Sequence, residues 1–296
     1  MISEFRGEIA ALSAACIWAI SSTIYAGFGR QLPPTVLNLT KGAVAIAFTL
    51  LTLWLRGDGW ADIRSFDLLL LAGSGIIGIG IGDTAFFSAL NCLGARRALL
   101  MEALAPPLAA MLALVFLSEI LDWMAYLGIV LTVVGVAWVV VERTPDTDHV
   151  KLQLKTGIVF GFIAALCQAT GAAMSRAALA TTDISPLWSS LIRIVAGSVV
   201  LLLWMTWNRP HPQSLKLLRS PRLLIIIAAT AFASTFLAIW LQQTALKYTA
   251  TGIAQALSAT SPLFVIPLAA WTGDRITFRA VLGAIVALGG IWILFL

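Results

Sequence analysis

The chain has 296 residues, of which 60% are hydrophobic and only 11% are charged, and its mean hydropathy is +0.95. So much apolar surface excludes a soluble globular domain and predicts an integral membrane protein. The net charge of +5 comes from basic residues crowded into the predicted loops, which indicates membrane orientation and not nucleic-acid binding.

Ten apolar segments follow one another along the chain. Most are about twenty residues long and lack the two-residue alternation of a membrane barrel, so they predict an all-α membrane protein with ten transmembrane helices. No signal-peptide cleavage site is evident, and we expect the first segment to be retained as a helix. In chain order, the predicted spans cover about 7–27, 34–55, 68–91, 98–117, 122–141, 156–178, 186–207, 222–246, 250–271 and 276–296.

The second half of the sequence resembles the first, with five spans in each. We therefore assign residues 1–143 to a first repeat, 144–155 to a linker and 156–296 to a second repeat. Because each repeat has an odd number of spans, the two are predicted to be inverted, as in secondary transporters with a binding site near the midplane. The pairs that match at nearly constant offsets are Gly7 and Gly157, Lys41 and Arg193, Pro106 and Pro262, Glu119 and Asp274, Gly128 and Gly283, and Gly135 and Gly290.

Lysine and arginine are divided unevenly between the two predicted membrane faces. The loops after the first, third, fifth, seventh and ninth spans form what we term the basic face, which carries twelve of these residues. The terminal face, which holds both termini, carries five. The positive-inside rule therefore predicts a cytoplasmic basic face, with both termini on the outer side.

Three ionisable side chains lie at similar depths inside the predicted spans. Lys41, Asp83 and Glu102 are each about seven or eight residues from the basic face, hence roughly 10–12 Å below it. An uncompensated charge costs about 2.5–3.5 kcal/mol at the bilayer centre, so the three are predicted to meet. Two interpretations stay open: a proton-coupling or substrate-charge site, or a structural ion pair between Lys41 and either acid.

A fourth ionisable residue, Arg193, is the repeat counterpart of Lys41. It lies near the terminal face and is a further coupling or substrate-charge candidate. Alternatively, its long side chain could reach Asp183, Glu119 or the membrane interface by snorkelling.

The acidic pair is confined to the first repeat. Ile239 and Ser258 stand in the second repeat at the positions of Asp83 and Glu102. Any chemistry of the charged cluster is therefore predicted to be asymmetric between the repeats.

Polar and aromatic side chains inside the spans form a second group of candidates. They could line a cavity, where aromatic rings stack on the apolar part of an organic solute and polar groups hydrogen bond to the rest. They could equally serve as packing contacts between helices. The cavity-lining candidates are Trp18, Ser22, Tyr25, Gln168, Trp188, Trp240, Gln243 and Gln255.

Prolines interrupt the fourth and ninth spans at matched depths. Pro106, Pro107, Pro262 and Pro267 each remove a helix hydrogen bond, and we expect them to kink these spans. The kinks are hinge candidates for alternating access, or else static bends that shape the bundle.

The sequence shows no catalytic or cofactor motif. The two histidines and three isolated cysteines make no metal-binding or disulfide pattern, and there is neither a phosphate-binding loop nor a serine-nucleophile elbow. We therefore predict no enzyme activity, no metal and no cofactor. Active transport would have to be driven by a gradient and not by ATP.

Several motifs resemble those of one family of transporters. A helix ending in Ala-Leu, a small-residue turn, a proline kink, an acidic residue and a glycine-marked fifth helix occur in GDTAFFSAL (82–90), GARRALLMEALAPPLAAMLALVFLSE (94–119), LGIVLTVVG (127–135), TSPLFVIPLAAWTGD (260–274) and LGAIVALGG (282–290). This pattern is similar to the drug/metabolite transporter superfamily, and within it to the ten-helix EamA-type exporters. The resemblance implies a monomeric inverted-repeat transporter of amino acids, metabolites or drug-like compounds, with a central cavity, in a bacterial inner membrane.

Together these features favour a secondary active transporter that exports a small organic solute. Proton antiport is a candidate energy source, with Asp83 and Glu102 as the coupling residues. The expected partners are the solute, protons and the lipid bilayer. The alternative from another class is a non-transporting membrane scaffold or partner subunit, which would show no solute-specific flux.

Overall fold

The computed structural model describes residues 5–28, 31–57, 59, 63–117, 123–141, 153–180, 182–207, 220–249, 251–271 and 277–294. The predicted pairing of Glu119 with Asp274 and most of the predicted linker lie outside these residues. Within the described ranges the chain forms twelve helices. They are α1 (Arg6–Phe28), α2 (Pro34–Arg56), α3 (Ser65–Leu93), α4 (Ala95–Glu102), α5 (Ala105–Leu117), α6 (Trp123–Val141), α7 (Leu154–Leu179), α8 (Pro186–Trp207), α9 (Pro221–Tyr248), α10 (Thr251–Ser258), α11 (Ser261–Trp271) and α12 (Phe278–Leu294).

Six of the described helices are long and apolar enough to cross a bilayer: α1, α2, α3, α7, α8 and α9. Shorter apolar stretches occur at Tyr126–Val139, Ile253–Leu268 and Val281–Ile293. Large apolar side chains on the outer surface, such as Trp54, Trp138 and Trp292, are exposed, as expected for residues that face lipid. The protein is therefore an all-helical integral membrane protein.

The fourth and ninth predicted spans are each divided into two helices. In the first repeat α4 ends at Glu102 and α5 begins at Ala105, and in the second repeat α10 ends at Ser258 and α11 begins at Ser261. The connecting turns contain backbone hydrogen bonds between residues three apart, such as Ala103 N–H to Leu100 O at 3.1 Å. The two interruptions fall at equivalent positions of the repeats.

The prolines lie differently from our expectation of mid-span kinks. Pro106, Pro107 and Pro262 occupy the first turns of α5 and α11, where a backbone N–H has no helical partner to lose. The interruptions precede them by a few residues. Pro267 lies inside α11, which continues through it to Trp271.

Wider π-helical turns occur in the middle of α3 and α9. They cover Gly75–Asp83 and Phe232–Leu237, again at equivalent positions of the two repeats. In each, a side chain from another helix donates to a carbonyl: Asn38 Nδ2 to Ile79 O at 2.7 Å, and Trp18 Nε1 to Ser234 O at 3.0 Å. Such turns are rare and are frequently found at functional sites.

Glycines allow two pairs of helices to approach closely. A Cβ on Gly75 of α3 would overlap the backbone of Arg193 in α8. This close contact therefore sets the position of the Arg193 backbone. On the far side of the bundle, a Cβ on Gly135 of α6 would lie 2.5 Å from Ala287 N of α12, and one on Gly290 would lie 2.5 Å from Thr132 N. Small residues of both repeats thus join α6 and α12 backbone to backbone.

Candidate functional site

A cavity of about 60 Å³ lies between the two repeats, and residues of the π-helical turns of both α3 and α9 line it. Helices α1 to α4 contribute one part of its lining, and α7, α8 and α9 contribute the other. All four predicted charged residues line it: Lys41, Asp83, Glu102 and Arg193. The volume leaves room for a few water molecules in this conformation.

Lys41 and Asp83 form an ion pair between Nζ and Oδ2, across α2 and α3. Both side chains are largely withdrawn from solvent, and the Lys41 side chain is only 7% exposed. Lys41 Nζ also lies 4.9 Å from the centroid of the Phe87 ring, a cation–π contact. The depths in the sequence predicted that these residues would meet, and the structure places them together.

The Glu102 carboxylate lies in the same cavity without such a partner. Within the described part of the chain, no hydrogen bond or ion pair to it is found. Glu102 also lines a second, smaller cavity of about 20 Å³ beside the interruptions at α4–α5 and α10–α11, together with Gln168 and Gln255. Of the two acids in the cavity, Glu102 is therefore the one that is not held in an ion pair.

Arg193 corrects one of our expectations. The side chain does not snorkel to the terminal face, because only 2% of the residue is exposed and it lines the central cavity. Its α-carbon lies on the terminal side of the midplane and that of Lys41 on the basic side, so the two long side chains reach the cavity from opposite faces.

Aromatic rings form one wall of the cavity. Trp18, Tyr25, Phe86 and Phe87 all line it. Tyr25 and Phe87 pack edge to face with centroids 5.2 Å apart, and the Tyr25 hydroxyl lies 3.1 Å from Ser234 Oγ. The cavity thus combines charged groups with aromatic side chains, a combination suited to an organic solute.

Several cavity-lining candidates lie where the sequence suggested. Trp18, Ser22, Tyr25 and Gln168 line the central cavity, and Gln255 lines the small cavity beside Glu102.

Three other candidates lie elsewhere. Trp188 donates from Nε1 to Gly59 O at 3.1 Å, and Gln243 is fully buried, where Ser189 Oγ donates to its Oε1 at 2.8 Å. Trp240 lines a different cavity near the terminal face. Gln242, which is next to Gln243 on α9, lines the central cavity instead. Adjacent helical residues point about 100° apart, so only one of the two glutamines can face the cavity.

This terminal cavity is larger, about 470 Å³, and its lining includes Arg6, Arg56, Asp183 and Lys247. Leu187 and Leu237 also line it, and both belong to an apolar cluster that extends to residues of the central cavity. The cluster contains Ile79, Leu187, Leu191, Ile194, Phe236 and Ile239, with Leu237 packed against it. Apolar side chains therefore separate the two cavities.

The fold and the site together define a polytopic helical membrane protein with an internal charged cavity. Within the described ranges, no group of three His, Cys, Asp or Glu side chains is placed to bind a metal ion.

The chain belongs to the EamA-like transporter family, whose sequence profile matches residues 5–141 and again residues 155–296. The family is thus shown over both halves, in agreement with the resemblance to the drug/metabolite transporter superfamily. A solved structure described only as the crystal structure of a protein is similar in fold, with a TM-score of 0.67 and 16% identity over 97% of this chain and 94% of that one. No match was found among curated protein sequences.

Proposed function

We propose that the protein is a secondary active transporter that exports small organic solutes, such as amino acids, metabolites or drug-like compounds. The observation that carries this proposal is the internal cavity between the repeats, which combines four charged side chains with aromatic rings. Ionisable groups are costly to keep within the bilayer, and their concentration with aromatic rings around one cavity supports a transporter over a scaffold.

The geometry of this cavity supports a mechanism of alternating access. With about 60 Å³ it is too small for most organic solutes, so helices must move apart to admit one. The apolar cluster between the two cavities is a suitable gate towards the terminal face. The interruptions at α4–α5 and α10–α11 border the cavity region and are the candidate hinges.

The proposed energy source is a proton gradient, with Glu102 as the proton-carrying group. Three charged residues face it across the cavity: Asp83 and Lys41, which pair with each other, and Arg193. Gln168 and Gln255 are its polar neighbours in the small cavity. A carboxylate free of a fixed partner can take up and release a proton as the cavity changes its exposure.

Survival of cells in toxic solutes tests the export proposal. We expect expression of the protein to raise resistance to some members of a panel of toxic metabolites and amino-acid analogues. Ser22→Phe fills the cavity and should abolish the resistance, whereas Thr206→Phe, on the exposed surface of α8, should leave it unchanged. The non-transporting scaffold would be favoured if expression raised resistance to no solute. It would also be favoured if cells with Ser22→Phe were as resistant as cells with Thr206→Phe.

We further propose ten spans in two inverted repeats of a monomer, in the bacterial inner membrane, with both termini on the outer side. The twelve basic residues of the basic face against five on the terminal face support this orientation. A C-terminal alkaline phosphatase fusion should therefore be active and a C-terminal green fluorescent protein fusion dark. The opposite pair of signals would place the termini in the cytoplasm.

A further inference from the structure

Arg193 is a buried cation without a fixed anionic partner. It is 2% exposed, and its Nε and Nη1 atoms are buried with no hydrogen-bond acceptor. Across the described residues, no ion pair or hydrogen bond of the guanidinium is found. Of the two cavity acids, Asp83 is already paired with Lys41.

Such an arrangement is unfavourable for the empty protein. A buried charge is normally paired and hydrogen bonded, because the loss of its hydration is not otherwise compensated. The half-buried Arg176 is hydrogen bonded in this way, since its Nη1 donates to Leu246 O at 2.5 Å and to Lys247 O at 3.1 Å. Arg193 departs from this pattern while facing a cavity.

The surroundings hold Arg193 in place without neutralising it. The backbone of Arg193 packs against Gly75, where any side chain would collide. The glycine at 78 leaves the space beside the guanidinium, since a Cβ there would lie 3.2 Å from Nη2. The charged group is therefore positioned in advance by the close approach of α3 and α8.

We propose that Arg193 binds the carboxylate of the transported solute. A guanidinium presents parallel donors that match the two oxygens of a carboxylate. When Glu102 carries its proton, the four ionisable side chains have a net charge of +1, which balances one carboxylate, whereas a dianion such as phosphate would leave an excess negative charge in the cavity. The aromatic wall of Trp18, Phe86 and Phe87 takes the apolar part of the solute.

The inference concerns the cavity of the proposed transporter and therefore rests on the proposed function. It adds a chemical requirement that the export proposal does not make: the solute must be a carboxylate. The requirement can be tested by binding alone, without transport.

The test uses the purified full-length protein and two probes of the same shape, 3-phenylpropionate and the neutral 3-phenylpropanamide. Thermal unfolding of the wild type should shift upwards with the carboxylate and much less with the amide. In Arg193→Met the carboxylate should bind about tenfold to a hundredfold more weakly, the range expected for loss of a charge-assisted hydrogen bond. Arg222→Met, which changes an exposed arginine at the start of α9, should retain the selective shift.

The unfolding temperature without a probe distinguishes a ligand-binding arginine from a structural one. Replacing an uncompensated buried charge by an apolar side chain of similar length should leave this temperature unchanged or raise it. The proposal is overturned if Arg193→Met lowers the temperature and keeps the carboxylate preference. It is also overturned if the wild type does not distinguish the two probes or is stabilised by neither.

Failure of this inference is distinguishable from failure of the export proposal. Resistance conferred equally against carboxylates and their amides would leave the transporter and remove the role of Arg193. Selective carboxylate binding by a protein that confers no resistance would leave the anion site and remove the transport function.

Discussion

In proteoliposomes, Glu102→Gln is expected to abolish solute accumulation driven by a pH gradient while exchange of solute without a gradient continues. The amide has nearly the shape of the acid but cannot bind and release a proton. A difference of one pH unit supplies about 1.4 kcal/mol per proton, enough for about tenfold accumulation in one-for-one exchange. We expect the accumulation ratio of the variant to fall to about one.

The matched control is Asp183→Asn, which removes an acid from the terminal cavity and should leave gradient-driven accumulation intact. Asp83→Asn is expected to impair the protein differently, since it breaks the ion pair with Lys41. Normal accumulation by Glu102→Gln would exclude Glu102 as the coupling group. If accumulation by the wild type is independent of the pH gradient, the proton is not the coupling ion.

Lys41→Met is expected to destabilise the protein by on the order of 3 kcal/mol, because it leaves Asp83 unpaired in the cavity. The side chain of Asp83 is 30% exposed, so partial hydration keeps the loss towards the low end for a buried pair. The second substitution Asp83→Asn in the same chain should recover most of the loss, as the uncompensated charge disappears. Thermal unfolding in detergent measures the wild type and both variants.

Lys155→Met is the control for this pair, since Lys155 is exposed at the start of α7 and should contribute little to stability. The comparison also separates structure from transport. A stable double variant that still confers resistance would make the Lys41–Asp83 pair a structural contact. A double variant no more stable than Lys41→Met alone would show that Lys41 stabilises the fold through other contacts, such as the one with Phe87.

Hydropathy alone predicted the six long apolar helices and their approximate bounds. Lipid is as apolar as the protein interior, so the lipid-facing and the interior-facing sides of a spanning helix are both apolar. Each helix is therefore a continuous apolar run in the sequence. The same property hides which side of a helix faces the cavity. Direction around the helix, and not depth in the membrane, is what separates Trp188 and Gln243 from the central cavity that Gln242 lines.

Depth predicted the meeting of Lys41, Asp83 and Glu102, because these three enter from one face. The same argument failed for Arg193, whose α-carbon lies nearer the other face. Gly75 and Gly78 of α3 leave the space that Arg193 occupies beside the cavity. Counting residues from the end of a helix gives the depth of a side chain but not its direction. Likewise, the prolines identified the interrupted spans but not the residues at which the helices end.

The paired π-helical turns also bear on the history of the chain. A π-helical turn holds more residues than the α-helical turn it replaces, and here it occurs at equivalent positions of α3 and α9. One insertion in an ancestral five-helix gene, before its duplication, accounts for both. Asp83 and Glu102 lack acidic counterparts in the second repeat, so the difference in charge between the halves arose after such a duplication. An older symmetric scaffold therefore carries a younger, one-sided charge arrangement.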